Sequence, residues 1–445
     1  MPSIKDHIKS TMNLAYPVMI GQLGYIMMQV VDNMMVGGLG DAPLAAASLA
    51  NGLFLIILIV GIGVSYAVTP LVAISIGANK KNESERIFQQ SILVNIVLGI
   101  ILIVITYFCS NIFQYLNQPI QVYKLAASYS KILGYSILPI MLFQTYKQFI
   151  EGLSITRPAM VITIIANLIN AIINWILVYG HYGFPKLELN GSGWATFSSR
   201  LFMAIAIIWY VKKSARFRQF DVRLKFHKIN FQVVKNILSL GLPSAVQYVF
   251  EVGAFSFAIV MIGWLGTKQL AAHQIAINLA SITYMATLGI SSAGAIRVGV
   301  AVGKQNISEV RQAGFTAILL GAAIMFCCGI IFISFNKFFP SLYIRDDSVI
   351  TIASQLLIIA AIFQIFDGTQ AVGIGVLRGL TDVKVPTLIT FFAYWIIALP
   401  VGYILGFLFN LNVIGVWIGF LIGLMTSAIL LTIRFNIKSR KLISI

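Results

Sequence analysis

Three carboxylates stand in stretches where a charge is expensive: Asp32 in YIMMQVVDNMMVGG, Glu251 in SAVQYVFEVGAFSFA and Asp367 in IAAIFQIFDGTQAVGIG. In the apolar core of a bilayer an ionisable residue costs about 2.5–3.5 kcal/mol on insertion scales, so one that persists there usually lines a polar interior. No Lys or Arg lies within a turn or two of any of the three. A carboxylate without a local counter-charge relieves its desolvated charge by taking up a proton or a small cation, which is the chemistry of ion coupling. Glu251 and Asp367 fall in one half of the chain and can share a site, while Asp32 serves the other half. The competing reading is assembly, each acid pairing with a base on another helix, and Arg200 is the obvious candidate partner.

Around these acids the sequence offers polar and aromatic company. Asn167, Asn170 and Asn174 are spaced by three and four residues, so they share one helical face. They serve either as hydrogen-bonded glue between helices or as carbonyl donors that help Asp32 hold a cation. Phe255 follows Glu251 by one turn and can offer a cation–π face. The other aromatics, in a chain with 12% of them, read as lipid-facing or interfacial anchors. Asp346 and Asp347 read as a solvated pair in an external loop, and Cys109, Cys327 and Cys328 as packing residues without metal or redox spacing. No HExxH, P-loop, GxSxG or DDxxD pattern occurs, so hydrolysis, ATP use and prenyl transfer have no support and no cofactor is implied. The chain does not read as an enzyme.

The elements that carry these residues are membrane helices. Of 445 residues 59% are hydrophobic and 10% charged, far from the one-quarter charged of a soluble domain. Apolar runs long enough to span a bilayer recur at 14–36, 44–76, 87–108, 125–149, 159–180, 191–212, 236–264, 270–302, 312–335, 352–376, 386–408 and 413–434. The second and eighth exceed what a bilayer requires, so they must tilt or protrude, and Gly61, Gly63 and Pro70 in one and Gly289, Gly294 and Gly299 in the other permit bending. MPSIKDHIKS has no cleavable-signal pattern, so the first run is a retained helix. The net charge of +17 does not require nucleic acid. About 23 of the Lys and Arg residues lie in alternate loops or at the ends, the asymmetry that marks the cytoplasmic side. Both termini therefore face the cytoplasm, in an inner membrane.

The chain also repeats itself. Aligning VGGLGDAPLAAASLANGL with IGWLGTKQLAAHQIAINL places Gly37, Leu39, Gly40, Leu44, Ala45 and Ala46 on Gly263, Leu265, Gly266, Leu270, Ala271 and Ala272. In the same register Pro17 falls on Pro243 and Gly77 on Gly303. Such matches mark a duplication, and six helices per half give both repeats one orientation, related by a pseudo-two-fold axis along the membrane normal. The expected fold is an all-α membrane protein of twelve transmembrane helices in two six-helix bundles, 1–212 and 236–445, joined by a basic cytoplasmic linker, 213–235.

YPVMIGQ…VVDNMMVGGLG, LPSAVQYVFEVGAFS and FDGTQAVGIGVLRGLTDVKVPTLITFFAYWIIALPVGY resemble the multidrug and toxic compound extrusion family, in its NorM-type branch, over nearly the whole chain. The resemblance implies a secondary active exporter that antiports Na⁺ or H⁺ against bulky cationic drugs or toxins by alternating access, as a monomer in lipid. It implies ion coupling by Glu251, Asp367 and Asp32, with Glu251 and Asp367 as the Na⁺ ligands if sodium is the ion. Asn170, Asn174 and Thr196 resemble the residues that accompany Asp32 in that family. Phe255, Gln274 and Asp346 fall where it has substrate contacts. Phe363 departs from the branch: relatives tend to have a tyrosine a turn before the acid of the tenth helix, and phenylalanine has no hydroxyl to ligate an ion. The rival readings are a flippase of lipid-linked saccharide from the same superfamily, which would favour a cationic cavity, and an integral membrane enzyme or channel.

Overall fold

A computed structural model describes residues 4–116, 118–220 and 229–441. Lipid offers backbone N–H and C=O groups no partners, so runs this apolar have helix as their stable form. Among the described residues twelve helices are long and apolar enough to cross a membrane: α1 Ile4–Gly37, α2 Asp41–Gly77, α3 Lys81–Tyr115, α4 Ile120–Gly152, α5 Arg157–Tyr179, α6 Glu188–Lys213, α7 Phe231–Trp264, α8 Thr267–Gly303, α9 Ile307–Ser334, α10 Asp347–Gly379, α11 Lys384–Leu408 and α12 Asn412–Lys441. This is the expected all-α membrane fold, and most helices overrun the apolar stretch that marks them. At about 1.5 Å per residue, the 37 residues of α8 are far longer than a hydrocarbon layer about 30 Å thick. The two longest runs behave differently. α2 breaks at Tyr66–Ala67 and resumes as Val68–Gly77 with Pro70 in its first turn, whereas α8 has no proline and stays unbroken.

The helices group into two compact units: an N-terminal unit, Ile20–Ala245, and a C-terminal unit, Met1–Met19 with Val246–Ile445. The expected division at 212 and 236 follows the repeat. Compactness divides the chain inside α1 and inside α7, each time just past a proline within the helix, Pro17 or Pro243. Of the basic linker, residues 221–228 lie outside the described residues.

The duplication is visible in packing. In the C-terminal unit α1 crosses α8 at Gly289, where a Cβ would stand 2.4 Å from Met19 Cγ and 2.8 Å from the Ala15 carbonyl oxygen. In the N-terminal unit α7 crosses α2 at Gly63, where a Cβ would stand 2.5 Å from Ala245 Cα. Gly63 and Gly289 are equivalent in the repeat, as are Met19 and Ala245, so one close crossing that admits only glycine is built twice. The turns repeat too. Gly40 and Gly266, at φ 109° and 116°, open α2 and α8, and Asn79 and Gln305, at φ 58° and 56°, close them. In the C-terminal unit Gly415, Gly419 and Gly423 of α12 form a stripe against the α11 backbone, with a Cβ on Gly419 only 2.4 Å from Gly402 N. Across that stripe α11 widens into π-helical turns at Phe392–Ala398 and Ile404–Leu408, a feature frequent near functional sites.

Candidate functional site

The N-terminal unit gathers α1, α5 and α6 around Asp32. The asparagine face of α5 lies along α1: Asn167 meets Gly24, and two turns on, Asn174 meets Asp32. Asn174 Nδ2 donates to Asp32 Oδ1 at 2.6 Å and Thr196 Oγ1 donates to Oδ2 at 3.0 Å, while Asn174 Nδ2 also reaches Asn170 Oδ1 at 3.2 Å. Asp32 is 8% exposed, and Asn170, Asn174 and Thr196 are buried. The structure thus brings together the four residues that sequence placed here. Of the two readings of these asparagines, Asn174 here shows the interhelical hydrogen bond: its amide nitrogen faces the acid, while its carbonyl oxygen has no hydrogen-bond partner among the described residues. Asn167 turns its amide to the Thr163 carbonyl instead. Arg200 is not the counter-ion in contact with Asp32. Its guanidinium donates to Ser136 Oγ at 2.7 Å and lies over the Phe54 ring, 5.1 Å from the centroid.

The C-terminal unit holds Glu251 on α7 and Asp367 on α10, 7% and 6% exposed. Tyr284 OH donates to Glu251 Oε1 at 3.1 Å. Tyr394, in the wide turn of α11, donates to Gln370 Oε1 and accepts from Gln370 Nε2 at 3.1 and 3.0 Å, so its hydroxyl is already spoken for. Trp395 Nε1 donates to the Phe250 carbonyl at 3.0 Å and ties α11 to α7 beside Glu251. Phe255 stacks on Phe420 at 4.8 Å and sits 5.8 Å from Tyr394, which joins the acid pair to an aromatic wall. Phe363 belongs to the same wall and meets Trp417 at 5.6 Å. Chemically, two buried acids with phenols and phenyl faces form a place for a small cation, a proton or an organic cation.

A family model described as MatE matches residues 17–176 and 243–404, once over each repeat. The chain belongs to the MatE family. It is 33% identical to a probable multidrug resistance protein NorM of Agrobacterium fabrum, over 97% of this chain and 94% of that protein. It is equally 33% identical to the multidrug resistance protein MdtK of Yersinia pseudotuberculosis, over 96% and 95%. Among solved structures, the outward-facing conformation of a multidrug resistance MATE family transporter of the MOP superfamily superposes with TM-score 0.91 at 21% identity, covering 99% of this chain and 97% of that one. A eukaryotic MATE transporter superposes with TM-score 0.89 at 20% identity, covering 99% and 98%. This MatE chain is a multi-pass membrane transporter and not an enzyme.

Two other carried-over positions of this MatE protein lie apart from the acids. Gln274 is on an exposed face of α8. Asp346 is exposed, as expected, and caps α10: its Oδ1 accepts from Ser348 N at 2.9 Å, and its Oδ2 lies 3.6 Å from Lys268 Nζ. Those hydrogen bonds from Ser348, with the lysine beside them, hold the Asp346 carboxyl below its usual range. Sequence reasoning missed Tyr284, Tyr394 and Gln370, because nothing in local spacing says that a tyrosine on one helix meets an acid on another. It also missed Lys147 and Glu151, a buried pair 3.9 Å apart near the end of α4, although their i,i+4 spacing in YKQFIEG was readable.

Proposed function

We propose that this protein exports bulky organic cations from the cell in exchange for inward movement of Na⁺ or H⁺, by alternating access, with Glu251 and Asp367 as the coupling acids and Asp32 as a second ionisable station. The observation that carries this is the pair of carboxylates buried in one unit, Glu251 and Asp367, with the Tyr284 hydroxyl donating to Glu251. Two negative charges in a low-dielectric interior are costly, and a cation or proton on the pair relieves that cost. The aromatic wall beside the pair suits a delocalised organic cation, and the names of the NorM and MdtK relatives support a drug as cargo. The two repeats serve as the moving bodies, in an inner membrane with both termini cytoplasmic as the basic loops favour. The saccharide-lipid flippase, whose anionic cargo wants a cationic cavity, is the weaker reading beside these acids.

The test is accumulation of a fluorescent cation in efflux-deficient cells expressing the protein at matched levels. Accumulation falls with expression and recovers when the Na⁺ or proton gradient is collapsed. Export that persists with both gradients collapsed contradicts the proposal.

A further inference from the structure

Two glutamines flank Asp367 on α10, each three residues away. Gln370 is satisfied at both atoms of its amide by the Tyr394 hydroxyl. Gln364 is not: it is 0% exposed, and neither its Oε1 nor its Nε2 has a hydrogen-bond partner among the described residues. A buried amide left unpaired at both atoms is a standing cost that calls for an explanation. Packing places this amide. α10 lies on α8 through a stripe of glycines: a Cβ on Gly368 would stand 3.2 Å from Thr287 Cγ2, one on Gly375 would meet Ser291, and one on Gly379 would stand 2.8 Å from the Ala295 carbonyl oxygen. The numbers rise together, so the two helices run parallel. One turn before Gly368 the same stripe presents Gln364, and one turn before Thr287 stands Tyr284, whose hydroxyl donates to Glu251. Side chains on a helix lean toward its N-terminus, so Asp367 leans back over the turn that holds Gln364. Acid and amide are neighbours that are not bonded to each other.

We propose that Gln364 Oε1 is a ligand of the coupling ion beside the Asp367 carboxylate, and that this ion is Na⁺. Carbonyl dipoles replace the hydration shell of a small cation inside a membrane protein. A cation held between the two oxygens satisfies the orphaned carbonyl and the buried charge together. It also accounts for an amide that stands one turn from a carboxylate without donating to it. A proton needs no such ligand, because the carboxylate takes it alone and an amide oxygen is too weak a base to share it. The neighbouring Phe363 has no hydroxyl to offer an ion, and Gln364 supplies a neutral oxygen in its place. Resting on the cation-driven export proposed above, this assignment narrows the driving ion to Na⁺.

The test is the melting temperature of purified protein at mildly alkaline pH while Na⁺ replaces K⁺ at fixed ionic strength, a measurement that needs no transport. An ion that binds the folded state raises it, so wild type melts higher as Na⁺ rises and Asp367→Asn does not respond. Gln364→Met keeps the length of the side chain but removes the amide. Its half-saturating Na⁺ concentration rises about tenfold, while in K⁺ alone it melts no lower than wild type, because an unpaired buried amide has gone. Weakening of fluorescent-cation binding by protons stays as in wild type. Gln364→Asn, with its carbonyl on a shorter arm, shows a smaller rise and carries the test if Gln364→Met does not fold. A half-saturating concentration unchanged in the folded variants overturns the ligand. A wild type that ignores Na⁺ also overturns it, and leaves proton-driven export standing. Export that persists with both gradients collapsed contradicts the proposed function instead and, with it, the coupling role given to Gln364, whatever Na⁺ does to melting.

Discussion

In the proposed coupling role Glu251 and Asp367, both buried in the C-terminal unit, supply two negative charges, so neutralising either is expected to remove half of the charge offered to the ion. Glu251→Gln and Asp367→Asn, scored singly by drug resistance at matched expression, are each expected to lose most resistance; near-wild-type resistance from both contradicts the assignment. In the N-terminal unit the expectation is energetic. Asn174→Leu removes the 2.6 Å donor from a buried carboxylate, a loss of about 1–3 kcal/mol that appears as a lower melting temperature. Asp32→Leu in the same background removes the stranded acceptor, so the double variant recovers part of it. The three acids were legible in the sequence because a charge inside an apolar run shows in one dimension. Their partners were legible only in part. The α5 asparagines announced a shared face through their spacing, but which atom of Asn174 faces Asp32, and that Tyr284 of α8 meets Glu251 of α7, are set by how helices lie side by side.

Among the elements, the twelve spans were legible from hydropathy, whereas their ends were not. Helices continue past the apolar stretch because capping and backbone hydrogen bonding do not stop where lipid does. The break in α2 and the continuity of α8 follow from Pro70, which the sequence does contain, but the wide turns of α11 had no sequence signal. The repeated crossings give a direct check. Gly63→Val and Gly289→Val each force a side chain into backbone, an overpacking cost of about 1–3 kcal/mol, and each lowers the melting temperature of purified protein. Gly37→Ala, with open space around its Cβ position, leaves it nearly unchanged. A Gly289→Val protein as stable as wild type would remove the packing argument. At the start of α10 the Asp346 cap makes a pH prediction. Its carboxyl lies below the ordinary aspartate value of 3.8, so the stability it adds is fully present above that value and is lost as pH falls through the lower, folded-state value. Melting curves from pH 5 downward should show this loss in wild type and less of it in Asp346→Asn, which keeps a capping oxygen without a titrating charge.

For the whole molecule, duplication and charge asymmetry were readable from the chain, and the structure adds that compactness cuts across the repeat inside α1 and α7. An exporter driven by cation entry draws on about 2.3 kcal/mol per charge for each 100 mV, but that energy drives cargo only if ion and cargo exclude one another. On the proposed function both are cations, and Glu251 and Asp367 supply two negative charges, so loading one is expected to weaken binding of the other. Such coupling is reciprocal and is typically about 1–3 kcal/mol, or roughly 5–150-fold in affinity. The decisive measurement is equilibrium binding of a fluorescent organic cation to purified protein while Na⁺ is raised at fixed ionic strength, and separately while pH is lowered. Affinity for the cation should weaken at least fivefold in one titration in wild type, and that weakening should vanish in the Glu251→Gln, Asp367→Asn double variant. An affinity unchanged by both Na⁺ and protons in wild type contradicts coupling through these acids.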